Sequence, residues 1–176
     1  MKITETKVQS LEITDVERLD PIRVMAENYE PGRGRITITC YGKAWTAFWP
    51  SMSGDSVQQF FIRVSNDYLI GCFAPMMNSE VDDDNEANLK FVKAEICKLR
   101  RDDELSRAEA RKIWGECEYA EDVKQYACSM GVSSPTGLFG DDPWYARWPT
   151  VPNHEYQYLE RILDAVREAL KQLEAK

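Results

Sequence analysis

Imidazole is nearly missing from this sequence: His154 is the one histidine among 176 residues. Histidine-based metal centres and acid–base chemistry by imidazole therefore have a single residue to draw on. His154 follows Asn153 where the last helix is expected to begin, a position that suits solvation better than catalysis, and no catalytic residue is assigned. The five cysteines (Cys40, Cys72, Cys97, Cys117 and Cys128) are odd in number and scattered, without a Cys-x-x-Cys pair. They read as reduced thiols of a cytoplasmic protein, and neither a structural metal nor any other cofactor is expected. No apolar run approaches the about 18 residues of a membrane span, the longest candidate being 68–74. Residues 1–5 lack the apolar segment of a signal peptide. Gly-x-Ser-x-Gly, Ser-x-x-Lys and His-Glu-x-x-His are also missing. A carboxylate pair could still do acid–base chemistry, but with 30 acidic residues the sequence nominates none.

What the chain does have is apolar content and an uneven charge. A hydrophobic fraction of 43%, with 5 Trp, 8 Tyr and 6 Phe, supplies a real core and argues against disorder. The net charge is −8. Residues 1–76 carry 9 acidic and 8 basic side chains, whereas residues 77–176 carry 21 and 14. Glu80, Asp82, Asp83, Asp84 and Glu86 fall within seven residues. Such a surface repels nucleic acid and anionic lipid and attracts basic partners. An EF-hand starting at Asp82 needs Gly at its sixth position and Glu at its twelfth, but Ala87 and Lys93 stand there. The run reads either as a solvated loop or as a docking site for a basic partner, with Asp82, Asp83, Asp84 and Glu86 as its contacts.

The pattern predicts one α+β domain over 1–176, an N-terminal antiparallel sheet packed against helices. Residues 1–50 are mainly strands, 53–74 a helix plus a short apolar element, 76–88 an acidic loop and 89–176 mainly helical. Leu11 and Ile13 alternate with polar residues, as do Ile22, Val24 and Ala26. Pro31-Gly32-Arg33-Gly34 is turn chemistry, and Arg33 and Arg35 there read as solvated or as contacts to an acidic group. A two-residue turn at Gly42-Lys43 sets Cys40 opposite Trp45, Ile38 opposite Ala47 and Ile36 opposite Trp49, all on a buried face. Ser53 is the expected cap of a helix carrying Val57, Phe60, Phe61 and Val64. Pro75 and the acidic run form a polar break. Helix resumes with Leu89, Val92, Ile96 and Leu99. Ser106-Arg107-Ala108-Glu109 is a capping box, and Val123 and Tyr126 mark another short helix. Residues 133–137 and 140–143 read as loops. The last helix carries one stripe, Leu159, Ile162, Leu163, Val166, Leu170 and Leu173, that predicts either core sealing or a homodimer seam.

The block 139–149 holds Asp141, Asp142, Trp144, Tyr145, Arg147 and Trp148. It joins residue types enriched at binding hot spots to prolines that limit ordering entropy. The bland alternative is a loop whose aromatics plug the seam between the sheet and the last helix. The two readings coexist if one Trp is buried and the other exposed.

The stretches Thr6-Lys7-Val8-Gln9-Ser10-Leu11-Glu12-Ile13-Thr14-Asp15, Gly34-Arg35-Ile36-Thr37-Ile38-Thr39-Cys40-Tyr41-Gly42-Lys43-Ala44-Trp45 and Asn66-Asp67-Tyr68-Leu69-Ile70-Gly71-Cys72-Phe73 resemble a small uncharacterised protein family of temperate phages and prophages of enteric bacteria. The acidic middle and Glu155-Tyr156-Gln157-Tyr158-Leu159 are similar as well. The resemblance brings no catalytic residues. It implies an intracellular phage accessory product, of a class that often works by binding host proteins. Together with the charge placement and the missing catalytic motifs, it leads to the expectation of a non-enzymatic accessory protein that binds and modulates a host protein through its acidic and Trp-rich surfaces. Two alternatives stay open: an acidic mimic of DNA that blocks a DNA-binding or defence protein, and an enzyme with an unrecognised carboxylate site.

Overall fold

The computed structural model describes residues 2, 3, 5, 7–130 and 137–175. The expected loop at Ser133-Ser134-Pro135-Thr136 lies outside the described residues. The fold is α+β, and the chain forms two compact units. Residues 1–78 and 154–176 make unit 1, and Ser79–Asn153 make unit 2, so the first boundary falls in the polar break after Pro75.

Unit 1 is built on a four-stranded antiparallel meander of β1 (Gln9–Ile13), β2 (Ile22–Glu30), β3 (Arg33–Cys40) and β4 (Lys43–Trp49), paired in sequence order. The period-two alternation decides its faces: Ile22, Val24, Ala26, Ile36, Ile38 and Ala47 are buried. The opposite face is largely polar, with the Thr37 and Thr46 hydroxyls 3.0 Å apart and ion pairs joining Arg23 to Glu12 and Arg35 to Glu27, and it also carries the exposed rings of Tyr29 and Phe48, 6.2 Å apart. Arg33 pairs with Glu30 at 3.0 Å, so both turn arginines have partners in their own chain.

The β3–β4 turn differs from the Gly42-Lys43 expectation. Tyr41 and Gly42 are its central residues, at φ 46° and 73°, the two positive values of a type I′ turn. Cys40 therefore faces Lys43, Ile38 faces Trp45, Ile36 faces Ala47 and Gly34 faces Trp49. A slip of two residues keeps parity, so the side chains stay on the expected face. Trp49 is buried, but Trp45 only partly.

Three helices cover the apolar face: α1 (Val57–Arg63), α2 (Asn66–Phe73) and α6 (His154–Glu174). The N-cap of α1 is Ser56 rather than Ser53, which sits in a turn at φ 55°. Ser56 wins because Gln59, three residues on, returns a hydrogen bond to its backbone and completes a capping box. The apolar element at 68–73 is the helix α2. In α6 the stripe from Leu159 to Leu170 is buried in the core of unit 1, and Leu173 is exposed. Gly34 marks the tightest approach. A Cβ there would stand 2.3 Å from Val57 Cγ2 and 2.5 Å from the Glu27 carbonyl oxygen. Gly34→Ala is expected to cost at least about 2 kcal/mol by overpacking, read from urea unfolding. A loss below about 0.5 kcal/mol would show that the start of α1 yields freely.

Unit 2 holds α3 (Asn85–Arg101), α4 (Arg107–Glu118) and α5 (Val123–Met130), with a 3-10 turn at Pro143–Tyr145. The predicted capping box opens α4: Glu109 N–H donates to Ser106 Oγ, and the Glu109 carboxylate accepts from Ser106 N–H. Val92, Ile96, Ile113, Cys117, Val123 and Trp148 sit in its separate core. Its ends are tied by a short antiparallel pair, β5 (Glu80–Val81) with β6 (Val151–Pro152).

Candidate functional site

The acidic run starts two elements. Glu80 lies in β5 and accepts from Thr150 Oγ1 at 2.6 Å. Asp82 pairs with Lys124, whose ammonium holds the carboxyl below its usual range, and its backbone carbonyl accepts from buried Asn88 at 3.1 Å. Asp84 is the N-cap of α3, accepting from Ala87 N–H at 2.7 Å. Asn85 accepts from Val123 N–H at 2.8 Å, at the first residue of α5. Glu86 pairs with Lys90 at 2.6 Å, and Asp83 is exposed. Where a loop over 76–88 was expected, the chain makes a strand, a cap and the first turn of a helix. Asp84→Ala is expected to destabilise unit 2 by about 1 kcal/mol, whereas Asp84→Asn, an equally good cap, changes little. Thermal unfolding of the two variants checks this, and equal losses would show that charge rather than capping matters.

The Trp-rich block divides as its two readings allow. Trp148 is 8% exposed, and its Nε1 donates to the Pro143 carbonyl at 3.0 Å. Its ring lies 5.3 Å from Phe91 and 5.1 Å from Phe139, which stack on each other at 5.2 Å. The indole thus enters the helical core of unit 2 instead of plugging a seam beside the sheet. Pro143 is buried, Tyr145 N–H donates to the Asp142 carbonyl at 3.1 Å, and Ala146 N–H donates to the Pro143 carbonyl at 3.3 Å. These bonds hold a turn that leaves Trp144 57% and Tyr145 86% exposed. Asp141, Asp142 and Arg147 are exposed around them.

A groove of about 720 Å³ lies in unit 2 between this block and α3. Leu99, Leu138 and the stacked Phe91 and Phe139 supply its apolar lining. Glu95, Asp102, Glu104 and Asp141 bring carboxylates to it, and Lys98 and Arg147 bring cations. Lys98 Nζ meets Glu95 at 2.8 Å. That bond, followed by the fields of Asp102 and Glu104, holds the ammonium above its ordinary pKa. The groove brings Asp141 and Arg147 together but not Asp82, Asp83, Asp84 or Glu86. Sequence reading missed Phe91, Glu95, Lys98 and Asp102, although their spacing of i, i+4, i+7 and i+11 marks one helical stripe.

Among the described residues, four carboxyl groups have resolved shifts and all move down: Glu27 by Tyr29 and Arg35, Asp82 by Lys124, Glu109 by Ser106 and Glu155 by Lys43. A carboxylic acid that donates a proton near neutral pH needs the opposite shift. Burial pushes the Cys117 thiol up to about 11, away from the reactive thiolate. His154 is exposed at the first residue of α6. No helix among the described residues is long and apolar enough to cross a membrane.

Residues 1–172 match the sequence model of a phage family, Phage_phiTE_072. No curated protein and no solved structure matches the chain.

Proposed function

The chain belongs to the phage family Phage_phiTE_072, and from that premise we propose that it is an accessory protein that binds and modulates a protein of the host cytoplasm. The observation that carries this reading is the pair Trp144 and Tyr145, exposed on a turn whose base is pinned by buried Trp148 and Pro143. Trp and Tyr dominate binding hot spots, and a turn already held in shape loses little entropy on docking. Exposed Asp141 and Asp142 flank the pair and favour a basic partner, and in the run from Asp82 to Glu86 exposed Asp83 adds to that charge. Mimicry of DNA finds less support, because Asp82, Asp84 and Glu86 are tied to Lys124, to the start of α3 and to Lys90.

Affinity capture from host lysate, with the intact chain and with a Trp144→Ala/Tyr145→Ala variant, tests the reading. The expected result is one stoichiometric protein that the variant fails to retain while its melting temperature stays unchanged. Capture at full yield by the variant would remove the aromatic pair from the interface.

A further inference from the structure

The groove in unit 2 has a chemistry of its own. Its apolar lining, with Phe91 stacked on Phe139, offers a seat for an aliphatic or aromatic side chain. Four carboxylates, from Glu95, Asp102, Glu104 and Asp141, face two cations, Lys98 and Arg147. Lys98 is already bound to Glu95, and its side chain is 59% exposed. The volume, about 720 Å³, falls within the range of about 300–1,000 Å³ of clefts that enclose ligands.

We infer that this groove docks an extended basic segment of a protein partner, with an apolar side chain against Phe91 and Phe139 and Lys or Arg side chains along Asp102, Glu104 and Asp141. The inference rests on the reading of the block 139–149 as a partner-binding element. Charge complementarity selects the occupant. An acidic or nucleic-acid ligand would meet an excess of carboxylates, and a purely apolar one would leave them facing it unpaired. The Lys98 ammonium already occupies Glu95, so Asp102, Glu104 and Asp141 are the carboxylates that meet a guest. The carboxylates come from both walls, α3 with its C-terminal extension on one side and Asp141 on the other. A guest lying between them therefore pairs along both edges.

The probe is a fluorescein-labelled peptide, Lys-Arg-Leu-Lys-Arg-Leu, titrated against the full chain and followed by anisotropy. A counterpart with Glu for every Lys and Arg and a counterpart with Ser for Leu serve as controls. The unaltered protein is expected to bind the first peptide and neither control to a comparable extent. The Asp102→Asn/Glu104→Gln/Asp141→Asn variant is expected to bind about tenfold more weakly. A variant losing equal charge in unit 1, Glu17→Gln/Glu160→Gln/Glu168→Gln, is expected to bind as the unaltered protein does. Equal weakening in both variants means bulk attraction and overturns the inference. So does full retention by the groove variant. Amide shift mapping on the unaltered protein gives a readout independent of any substitution: changes at 91–104 and 137–147 support the groove, and changes confined elsewhere overturn it. If the peptide does not bind while Trp144 and Tyr145 still govern capture from lysate, the groove inference fails and the proposed function stands.

Discussion

Trp49→Ala lowers the stability of unit 1 by about 3–5 kcal/mol, the range for an aromatic side chain deleted from a packed core. Trp49 is 3% exposed on β4. Its ring lies 5.3 Å from Phe60 and 6.2 Å from Phe73, the latter edge-on, so one truncation removes contacts to both α1 and α2. Such a loss is a large part of the 5–15 kcal/mol that typically holds a domain together. Protection of the strand amides against hydrogen exchange should fall accordingly. Trp45→Ala, on the same face but only partly buried, is expected to cost clearly less. If the two variants lose equal stability, the order of burial along β4 is wrong.

Trp148→Ala is expected to cost a similar amount, about 3–5 kcal/mol, in unit 2. It removes the ring against Phe91 and Phe139 and takes the Nε1 donor away from the Pro143 carbonyl. That bond fixes the turn presenting Trp144 and Tyr145, so binding should fall together with stability. Trp144→Ala separates the two effects. At 57% exposure it should change stability by no more than about 0.5 kcal/mol while still weakening the partner. Trp148→Phe keeps a six-membered ring but removes the donor and the pyrrole half of the indole, so its deficit, at least about 1 kcal/mol, sets an upper bound on the hydrogen bond. A Trp148→Ala variant with native stability would place that indole outside the core.

The strands and helices were legible because their signals are local. Alternation at Ile36, Ile38 and Cys40 fixes a face, and Ser106 with Glu109 fixes a helix start. Register was not legible, because period-two patterning is blind to a slip of two residues. The decision rests on Tyr41 adopting a positive φ, which side-chain preference alone would not select. Ser56 with Gln59 is readable as a capping box, whereas the residue three after Ser53 is Ser56 and offers no such return bond. In the Trp-rich block the sequence held both outcomes and could not say which indole was buried, since Trp144 and Trp148 differ by their partners rather than by type. The groove lay deeper still. Its walls are separated by more than thirty residues, and only tertiary packing brings Asp141 into one groove with Glu95.

Unit 1 is interrupted in sequence, and this gives its assembly a direction in time. The meander is finished at Trp49, but α6, which shields its apolar face, begins at His154. At about 5–20 residues per second, a ribosome spends roughly 5–20 s on the chain between them. For that interval the nascent sheet has only α1 and α2 as cover. The β5–β6 pair leaves that interval unchanged but shortens the search that follows it, because Asn153 N–H donates to the Ser79 carbonyl at 2.8 Å and so returns the chain to where it departed. Closing a loop of a few residues instead of the whole insert spares about 2–3 kcal/mol of chain entropy. An insert that folds as it emerges thus acts as a molecular staple, bringing the last helix within reach of a sheet synthesised long before it.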